Sequence, residues 1–560
     1  MTENKEQKAF NELDFIVNFM PARIFLLVVF AIAYFFVFDQ KWDINGDNAS
    51  YFVLGHALAD GLGFVNPAFP GNPAENHFPI GFPLIIALFS KIGLGSIVAL
   101  KVINGLFLLA SGLLWFEIFK RIQSNVNLAI VGAMAIFLNP VLMRSGTILM
   151  SEIPFLFFIS LGIFYFVKLD SEKDQKWFTK PGFWIMALSL GASFYIRSVA
   201  LAVFAGIGFY LLAKKKFQPL IATVAGIAVF ITPSFFLNTG GGNYFRQLIH
   251  VNPYDVDSPI IGMSDLLARM KQNALAYLIG FLPDATLPII GKVHGISAAT
   301  DVFISLLLLY FIWKGIKNAG GYKWFLVAYL GSALLIILVW PSVWASSRFM
   351  AHVIPVTSLL TLMGLHQLSL KWESKFKVKK PLGVYPIFLL VMFNLIVLNT
   401  QRIQAKAKYR PEWQNYFKTA HWAKVHSEKD AIICARKPVF FYLESDRKCV
   451  NFKNTSDTKA LVQDFADKKV NYVVLDMLGF GNTEKYLFPA LEQYKECFNN
   501  VAVYEKPNTY LLQFNADQFT NPNYQDQVKS NTTPTEDDSK NELERLLESE
   551  LNNSMSDSSQ

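Results

Sequence analysis

Four residues of this 560-residue chain, Asp47, Glu152, Arg197 and Arg348, stand out as able to do chemistry. Each lies at the edge of a long apolar stretch, where an ionisable group is costly and is a functional candidate by default. An arginine fork matches a phosphate bidentately. A carboxylate beside it can take a proton from a hydroxyl or an amine. Together the two types suit displacement of a phosphate-bearing leaving group by a deprotonated acceptor.

Other polar residues share the surroundings of these four. A loop from Asp39 to Phe78 opens with Asp43 and Asp47 and continues through Tyr51, His56 and Gly61-Leu-Gly63. It ends in Glu75-Asn-His77-Phe-Pro79-Ile-Gly-Phe-Pro83. Its first part, Asp47 to Leu58, has the apolar spacing of a helix lying along an interface. Arg144 and Ser151-Glu152-Ile-Pro154 lie in a second loop, Arg197 at the bend Tyr195-Ile-Arg197-Ser198, and Arg348 in Trp344-Ala-Ser-Ser-Arg348-Phe-Met-Ala-His352. A structural reading stays open beside the chemical one. A lone arginine at a span end also anchors to headgroups, and Asp43 or Asp47 also suits the start of a helix.

The elements that must position these groups are membrane spans. The chain is 52% apolar, 15% aromatic and only 17% charged, with a mean hydropathy of +0.31. An ordinary soluble domain is nearer a quarter charged, so a wholly soluble enzyme is excluded as a reading. The deficit lies in residues 1–399, which hold 30 Lys/Arg and 20 Asp/Glu, whereas residues 400–560 hold 21 and 23. Apolar runs able to cross ~30 Å of hydrocarbon predict eleven spans. They are Ala22–Phe38, Ile97–Phe119, Asn127–Leu142, Ile153–Val167, Gly182–Ile196, Val199–Ala213, Pro219–Leu237, Val302–Trp313, Trp324–Trp340, Met350–Leu368 and Leu382–Asn399. Ala276–Ile290, interrupted by Pro283, Asp284 and Pro288, reads as re-entrant or interfacial.

Basic residues set the direction. With residues 1–21 cytoplasmic, the inner segments carry 20 Lys/Arg, Lys214-Lys215-Lys216 among them. The longer outer loops carry about ten, so the candidate site and the C-terminal part fall on the outer side of a cytoplasmic (inner) membrane. The excess of +8 is thereby absorbed by topology and is no sign of a nucleic-acid partner. Met1–Met20 lacks a cleavage site, and the first span is expected to remain as an anchor.

From Tyr409 the pattern changes. Ala431–Ala435 and Tyr472–Asp476 read as buried strands, Thr458–Lys468 and Thr483–Phe498 as helices, and Val501–Glu505 with Tyr510–Phe514 as a closing hairpin. The fold class is thus an α-helical polytopic membrane protein, with a membrane domain over 22–400 and a small α/β domain over 409–515. No glycine-rich phosphate loop is present; Gly479-Phe480-Gly481 is too short a signal. Cys434, Cys449 and Cys497 fit no zinc spacing; a Cys434–Cys449 disulfide and three unpaired core thiols are both open. Residues 516–560, with ten acidic and three basic residues, read as a disordered tail.

The order of these motifs resembles the C-type (GT-C) polyprenyl-phosphate-sugar glycosyltransferases, which include the protein O-mannosyltransferase and lipid A aminoarabinose transferase families. The resemblance rests on Asp47…Tyr51…Ala57…Gly61-x-Gly63 and the Pro-x-Gly-Phe-Pro stretch, then on Ser151-Glu152-x-Pro154 and Arg348-Phe-Met-x3-Ile-Pro355. It implies an inverting transferase that moves a sugar from a polyprenyl phosphate to a lipid, glycan or protein acceptor on the outer side. Asp47 then matches the catalytic base, with Asn48 where relatives often carry Glu. Glu152 matches the second acidic position, which orients the acceptor or, in metal-using relatives, helps hold a divalent cation. No cofactor is implied with certainty, and a divalent cation is left open. Arg348, Arg197 and His77 are the candidates for the donor phosphate, and Tyr51, Asp43 and Glu75 for the acceptor or sugar pocket. A phosphate leaving group needs positive charge more than a general acid, and a single base gives inversion in one displacement, unlike the two-carboxylate hydrolases. The alternative class is a transporter or flippase for an envelope glycolipid, which would place its polar groups nearer the midplane in two related halves.

Overall fold

The computed structural model describes residues 12–44, 47–123, 125–172, 176–236, 248–253, 258–286, 298–376 and 384–524. The chain divides into two units, one of residues 1–66 and 73–408 and the other of residues 67–72 and 409–560.

The first unit is helical. Its longer helices are α1 (Glu12–Val37), α2 (Asn48–Ala59), α3 (Gly81–Lys91), α4 (Ile97–Gln123), α5 (Val126–Phe137), α6 (Pro140–Thr147), α7 (Glu152–Ser171) and α8 (Pro181–Ile196). There follow α9 (Leu201–Ala213), α10 (Phe217–Ile231), α11 (Met263–Leu275), α12 (Leu282–Thr286), α13 (Ala298–Asn318), α14 (Lys323–Val339), α15 (Ile354–Phe376) and α16 (Val384–Lys406). Among the described residues five stretches are long and apolar enough to cross a membrane: Met20–Val37, Ile97–Gln123, Glu152–Ser171, Phe217–Ser234 and Gly320–Val339. The pair α5 and α6, bent by 51°, makes a sixth if it is one span. Each of the six coincides with one of the eleven predicted spans. Several predicted spans are bent or short. Asn139 caps α6 through Val141 N (3.0 Å) and Leu142 N (3.2 Å), ending α5 inside the predicted span Asn127–Leu142. The predicted spans at Gly182–Ile196 and Val199–Ala213 are short helices parted at Arg197, where a 3-10 turn, Ser198–Ala200, intervenes. The predicted re-entrant piece is a π-helical turn, Ala276–Phe281, running into α12; residues 287–290 lie outside the described residues.

The core of this unit is aromatic. Trp115, Phe116 and Phe119 of α4 and Phe155 and Phe166 of α7 are buried, and Trp115 donates its indole N–H to Ser160 Oγ at 2.9 Å. The outward faces are apolar too, with Phe35, Leu88, Ile221, Phe303 and Leu335 more than 60% exposed. Exposed apolar surface on this scale needs hydrocarbon, not water, as its solvent.

α7 is the ruler of the unit. Its 20 residues cover roughly 30 Å at 1.5 Å per residue, the thickness of the hydrocarbon core. Glu152 opens it and Asp170 lies in its last turn, so the helix carries one buried carboxylate near each end.

The second unit is a five-stranded sheet, β1 (Ile432–Cys434), β2 (Lys448–Val450), β3 (Tyr472–Leu475), β4 (Phe498–Tyr504) and β5 (Thr509–Phe514), in the order β2-β1-β3-β5-β4. β1 runs parallel to β2 and β3; β5 is antiparallel to β3 and β4. Its helices are α17 (Pro411–His426), α18 (Pro438–Ser445), α19 (Thr458–Asp467), α20 (Phe488–Gln493) and α21 (Ala516–Thr520). Val473 packs with Leu461, Phe465 and Leu491. Its neighbour Val474, pointing the other way by the strand pleat, is buried as well. Residues 67–72 extend the sheet's edge: Cys449 N donates to Ala68 O at 2.7 Å. The three cysteines are free and buried. The first residues of the predicted disordered tail, 516–524, are folded instead. α21 is folded, with Phe519 and Tyr524 buried, because two aromatics in the polar stretch complete the core; residues 525–560 lie outside the described residues.

Candidate active site

α2 starts at Asp47, whose carboxylate makes no capping hydrogen bond. The helix start is satisfied by other groups: Asp47 O accepts from Tyr51 N at 3.0 Å, and Asn48 Nδ2 donates to Asp43 O at 2.6 Å. The Asp47 side chain is left 44% exposed. The structural reading, in which Asp47 serves as a cap, is not what the side chain does.

Ser151 and Glu152 lead into α7, and Ser151 Oγ makes no cap bond either. It accepts from Arg197 Nη1 at 3.0 Å and lies 3.3 Å from Tyr51 OH. The approach to α7 is held by α4, where Asn104 Nδ2 donates to Ser145 O (3.0 Å) and Ile148 O (2.9 Å). Arg197 is set by a tight approach on the next helix. A Cβ on Gly81 would meet the Tyr195 backbone at 2.6 Å, so only glycine lets α3 abut the end of α8. Arg348 lies in a 3-10 turn, Ser347–Met350, whose start Tyr277 OH steadies by accepting from Ser346 N at 3.4 Å.

These four segments bring opposite charges into one alternating chain. Arg197 Nη1 is 3.0 Å from Glu152 Oε1. Arg348 Nε is 3.7 Å from the same oxygen, and Arg348 Nη2 is 3.6 Å from Asp47 Oδ2. One aromatic ring, Phe349, lies under both guanidinium groups at 5.3 and 5.1 Å. Burial is graded: the Glu152 side chain is 3% exposed, Arg197 19%, Arg348 35% and Asp47 44%. Glu152 Oε2 has no hydrogen-bond partner among the described residues.

Two distances separate the arginines in kind. Arg197 is committed at hydrogen-bond length to Glu152 and Ser151. Arg348 touches both carboxylates beyond the 2.7–3.2 Å range of a closed bond, so its donors remain available to an incoming anion. Of the two carboxylates, Asp47 is the exposed one and Glu152 the buried one.

Of the other predicted residues, Tyr51 reaches this chain of charges through Ser151. Glu75 Oε1 accepts from the backbone N–H groups of His77 and Phe78 and shapes the turn before α3. The His77 ring packs on Phe78, whose ring contacts Tyr51 at 4.8 Å. Asp43 is engaged through its carbonyl. Arg144 is exposed on α6. Sequence reasoning did not single out Ser151 as a hub or Phe349 as the shared ring; both stood inside quoted motifs but carry no charge to draw attention. Lys101, buried in α4 with Nζ donating to Asp39 O at 2.8 Å, was also passed over.

A divalent cation finds little here. Among the described residues no three His, Cys, Asp or Glu side chains gather as ligands. Asp47 and Glu152 are the carboxylates of the site, and the Arg348 guanidinium contacts both. These residues do not fit a metal, and positive charge is supplied by arginine.

The model of the family described as dolichyl-phosphate-mannose-protein mannosyltransferase matches residues 76–230. No curated protein matches the sequence. Among solved structures, apo ArnT from Cupriavidus metallidurans is 11% identical with a TM-score of 0.58, over 89% of this chain and 98% of that one. The same protein bound to undecaprenyl phosphate gives 10% identity and a TM-score of 0.57, over 89% and 99%. The oligosaccharyltransferase AglB from Archaeoglobus fulgidus, in complex with an inhibitory peptide and a dolichol-phosphate, gives 11% and 0.55, over 87% and 74%. The resemblance to the C-type glycosyltransferases thus holds for a family-model segment and for the fold.

Proposed function

We propose that this chain, with the fold of the C-type glycosyltransferases, is an integral-membrane inverting transferase taking a sugar from a polyprenyl phosphate. The observation that carries the reading is the alternating chain Asp47–Arg348–Glu152–Arg197, with its exposed end a carboxylate and its loosest member an arginine. The donor phosphate is bound by Arg348, with Arg197 behind it. The acceptor hydroxyl or amine approaches the anomeric carbon opposite the phosphate and gives its proton to Asp47. A bond forms from the acceptor atom to the anomeric carbon as the bond from that carbon to the phosphate oxygen breaks. The electron pair leaves on the phosphate, where guanidinium charge stabilises it. Glu152 holds both arginines in place and takes no proton. The acceptor is a lipid, glycan or protein on the extracytoplasmic side, a reading supported by the excess of basic residues in the opposite loops.

The test is transfer by the purified protein in lipid nanodiscs, supplied with undecaprenyl-phosphate sugars and a panel of hydroxyl and amine acceptors. We expect release of undecaprenyl phosphate together with a product of inverted anomeric configuration. Asp47→Asn should lower turnover at least 10³-fold, in line with loss of an essential base, while the protein stays folded. Near-full turnover in that variant would remove Asp47 as the base. Movement of the sugar lipid between leaflets without a covalent product would replace the transferase by a flippase.

A further inference from the structure

The sheet of the second unit carries a second cluster of polar groups, at the carboxyl ends of β1 and β3. β1 is flanked by β2 on one side and β3 on the other. The chain leaving β1 passes through α18 to β2, and the chain leaving β3 passes through α20 toward β4, so the two exits run apart along the sheet. Parallel strands whose exits diverge open a crevice at their carboxyl ends, the usual place for a ligand in an α/β sheet.

The residues at those exits are Arg436 and Lys437 after β1, and Asp476 to Phe480 after β3. Asp476 is buried at 3% exposure. Its Oδ1 accepts from Leu478 N at 3.1 Å, but its Oδ2 has no hydrogen-bond partner among the described residues, and neither has Arg436 Nε. Arg436 and Lys437 both lie over the Phe480 ring, at 4.8 and 5.1 Å. Phe480 stands between Gly479, at φ +79°, and Gly481.

An acceptor oxygen and a donor N–H left unsatisfied at the ends of two neighbouring strands specify what completes them. An ammonium group only donates. A phosphate at neutral pH mainly accepts and meets the Asp476 carboxylate. A hydroxyl donates to one and accepts from the other, and neighbouring hydroxyls on a ring do so in pairs. Leaving such groups without partners is costly, and a ligand that pairs them recovers that cost. We propose that the crevice between β1 and β3 is a carbohydrate-binding site in which Asp476 and Arg436 grip ring hydroxyls under Phe480. Its role, recognition of a glycan acceptor, rests on the transfer reaction proposed above; the binding itself does not.

The full-length protein in detergent is titrated with methyl glycosides of mannose, glucose, galactose and N-acetylglucosamine, and binding is read by saturation-transfer difference NMR. One or more should bind saturably, and Arg436→Ala and Phe480→Ala should each weaken that binding at least tenfold. Asp47→Asn should leave it unchanged, so failure of the transfer reaction and failure of this site are told apart. No binding by the folded wild type, binding unaffected by both variants, or displacement of the sugar by millimolar inorganic phosphate would each overturn the proposal.

Discussion

The two ends of α7 each hold a buried acid among basic partners, yet they are finished differently. At the far end Asp170 accepts from Lys216 Nζ and Tyr210 OH, both at 2.6 Å. On α4, Glu117 is likewise closed onto Arg23 (2.9 Å) and Lys120 (3.3 Å). At the near end Glu152 holds one arginine at 3.0 Å and another at 3.7 Å, and neither of its oxygens has a hydrogen-bond partner among the described residues. Closed networks return the cost of burying charge through short bonds and fix helix positions. An open network keeps that cost unreturned until something else arrives. Where ionic groups are buried and loosely paired on the same unit as closed pairs, looseness is the mark of chemistry.

After Asp47, the largest effect should come from the loosest member. Arg348→Ala is expected to lower turnover about 10²–10³-fold, the size seen when one donor to a developing anion is removed, and to weaken undecaprenyl-phosphate binding in the same measurement. Arg348→Lys should recover only part of the binding, since an ammonium cannot bind bidentately. Equal binding of the lipid phosphate by the alanine variant would reassign the phosphate ligand. Next comes the buried counter-charge. Breaking a buried pair from one side costs about 3–5 kcal/mol. The partners of Glu152 are partly solvated, so Glu152→Gln should fall near the low end, at about 3 kcal/mol of thermal stability, with turnover lost as well. Asp170→Asn should cost stability without lowering turnover per folded molecule. If both variants lost turnover equally, the contrast between the two ends of α7 would fail.

Much of the site was legible because charge is conspicuous in an apolar background. Asp47, Glu152, Arg197 and Arg348 were found that way, on one predicted side. Their pairing was not legible, since residues 47 and 348 are joined only by how helices pack. α3 was missed because Pro79 and Pro83 read as loop; Pro83 lies in the helix's first turn, where its absent N–H has no intrahelical partner to lose. Hydropathy ran smoothly across the cap at Asn139, so the bend inside that predicted span was not legible. In the second unit the longer strands and helices carried enough periodicity to be read. β2 is three residues long, and its neighbours at 67–72 are nearly 380 positions away, so no local pattern announces that edge.

Asp476 extends the comparison to a second unfinished acid, now in the second unit. Burial pushes its carboxyl up to about 6 from 3.8, partly opposed by Leu478 N–H and Arg436. The folded state therefore holds its proton at pH values where the unfolded chain has lost it. Stability is fully present below about pH 4 and is lost as the pH rises through about 6. A shift of that size is worth about 2–3 kcal/mol. Asp476→Asn, neutral and similar in shape, should remove this fall and stabilise the second unit by about 2 kcal/mol at pH 7.5 relative to pH 4.5. Scanning calorimetry of the full chain at the two values reads it; an unchanged pH slope would mean that the carboxylate is already satisfied.

The smallest effect tests how far the open network extends. Tyr51 is buried on α2, and its hydroxyl reaches Ser151 Oγ at 3.3 Å, while Arg197 donates to the same oxygen at 3.0 Å. If Tyr51 only packs, through its rings with Phe78 and Phe82 at 4.8 and 5.1 Å, Tyr51→Phe is nearly silent. If the hydroxyl steadies Ser151, and Ser151 steadies Arg197, the loss of one weak neutral hydrogen bond costs about 0.5–1 kcal/mol. That corresponds to a roughly two- to fivefold fall in turnover, with the Michaelis constant for the lipid donor unchanged. Ser151→Ala should then match Tyr51→Phe, and the double variant should cost less than the two added together. Strict additivity would detach Tyr51 from the arginine it reaches through Ser151 and confine the open network to the four charged residues.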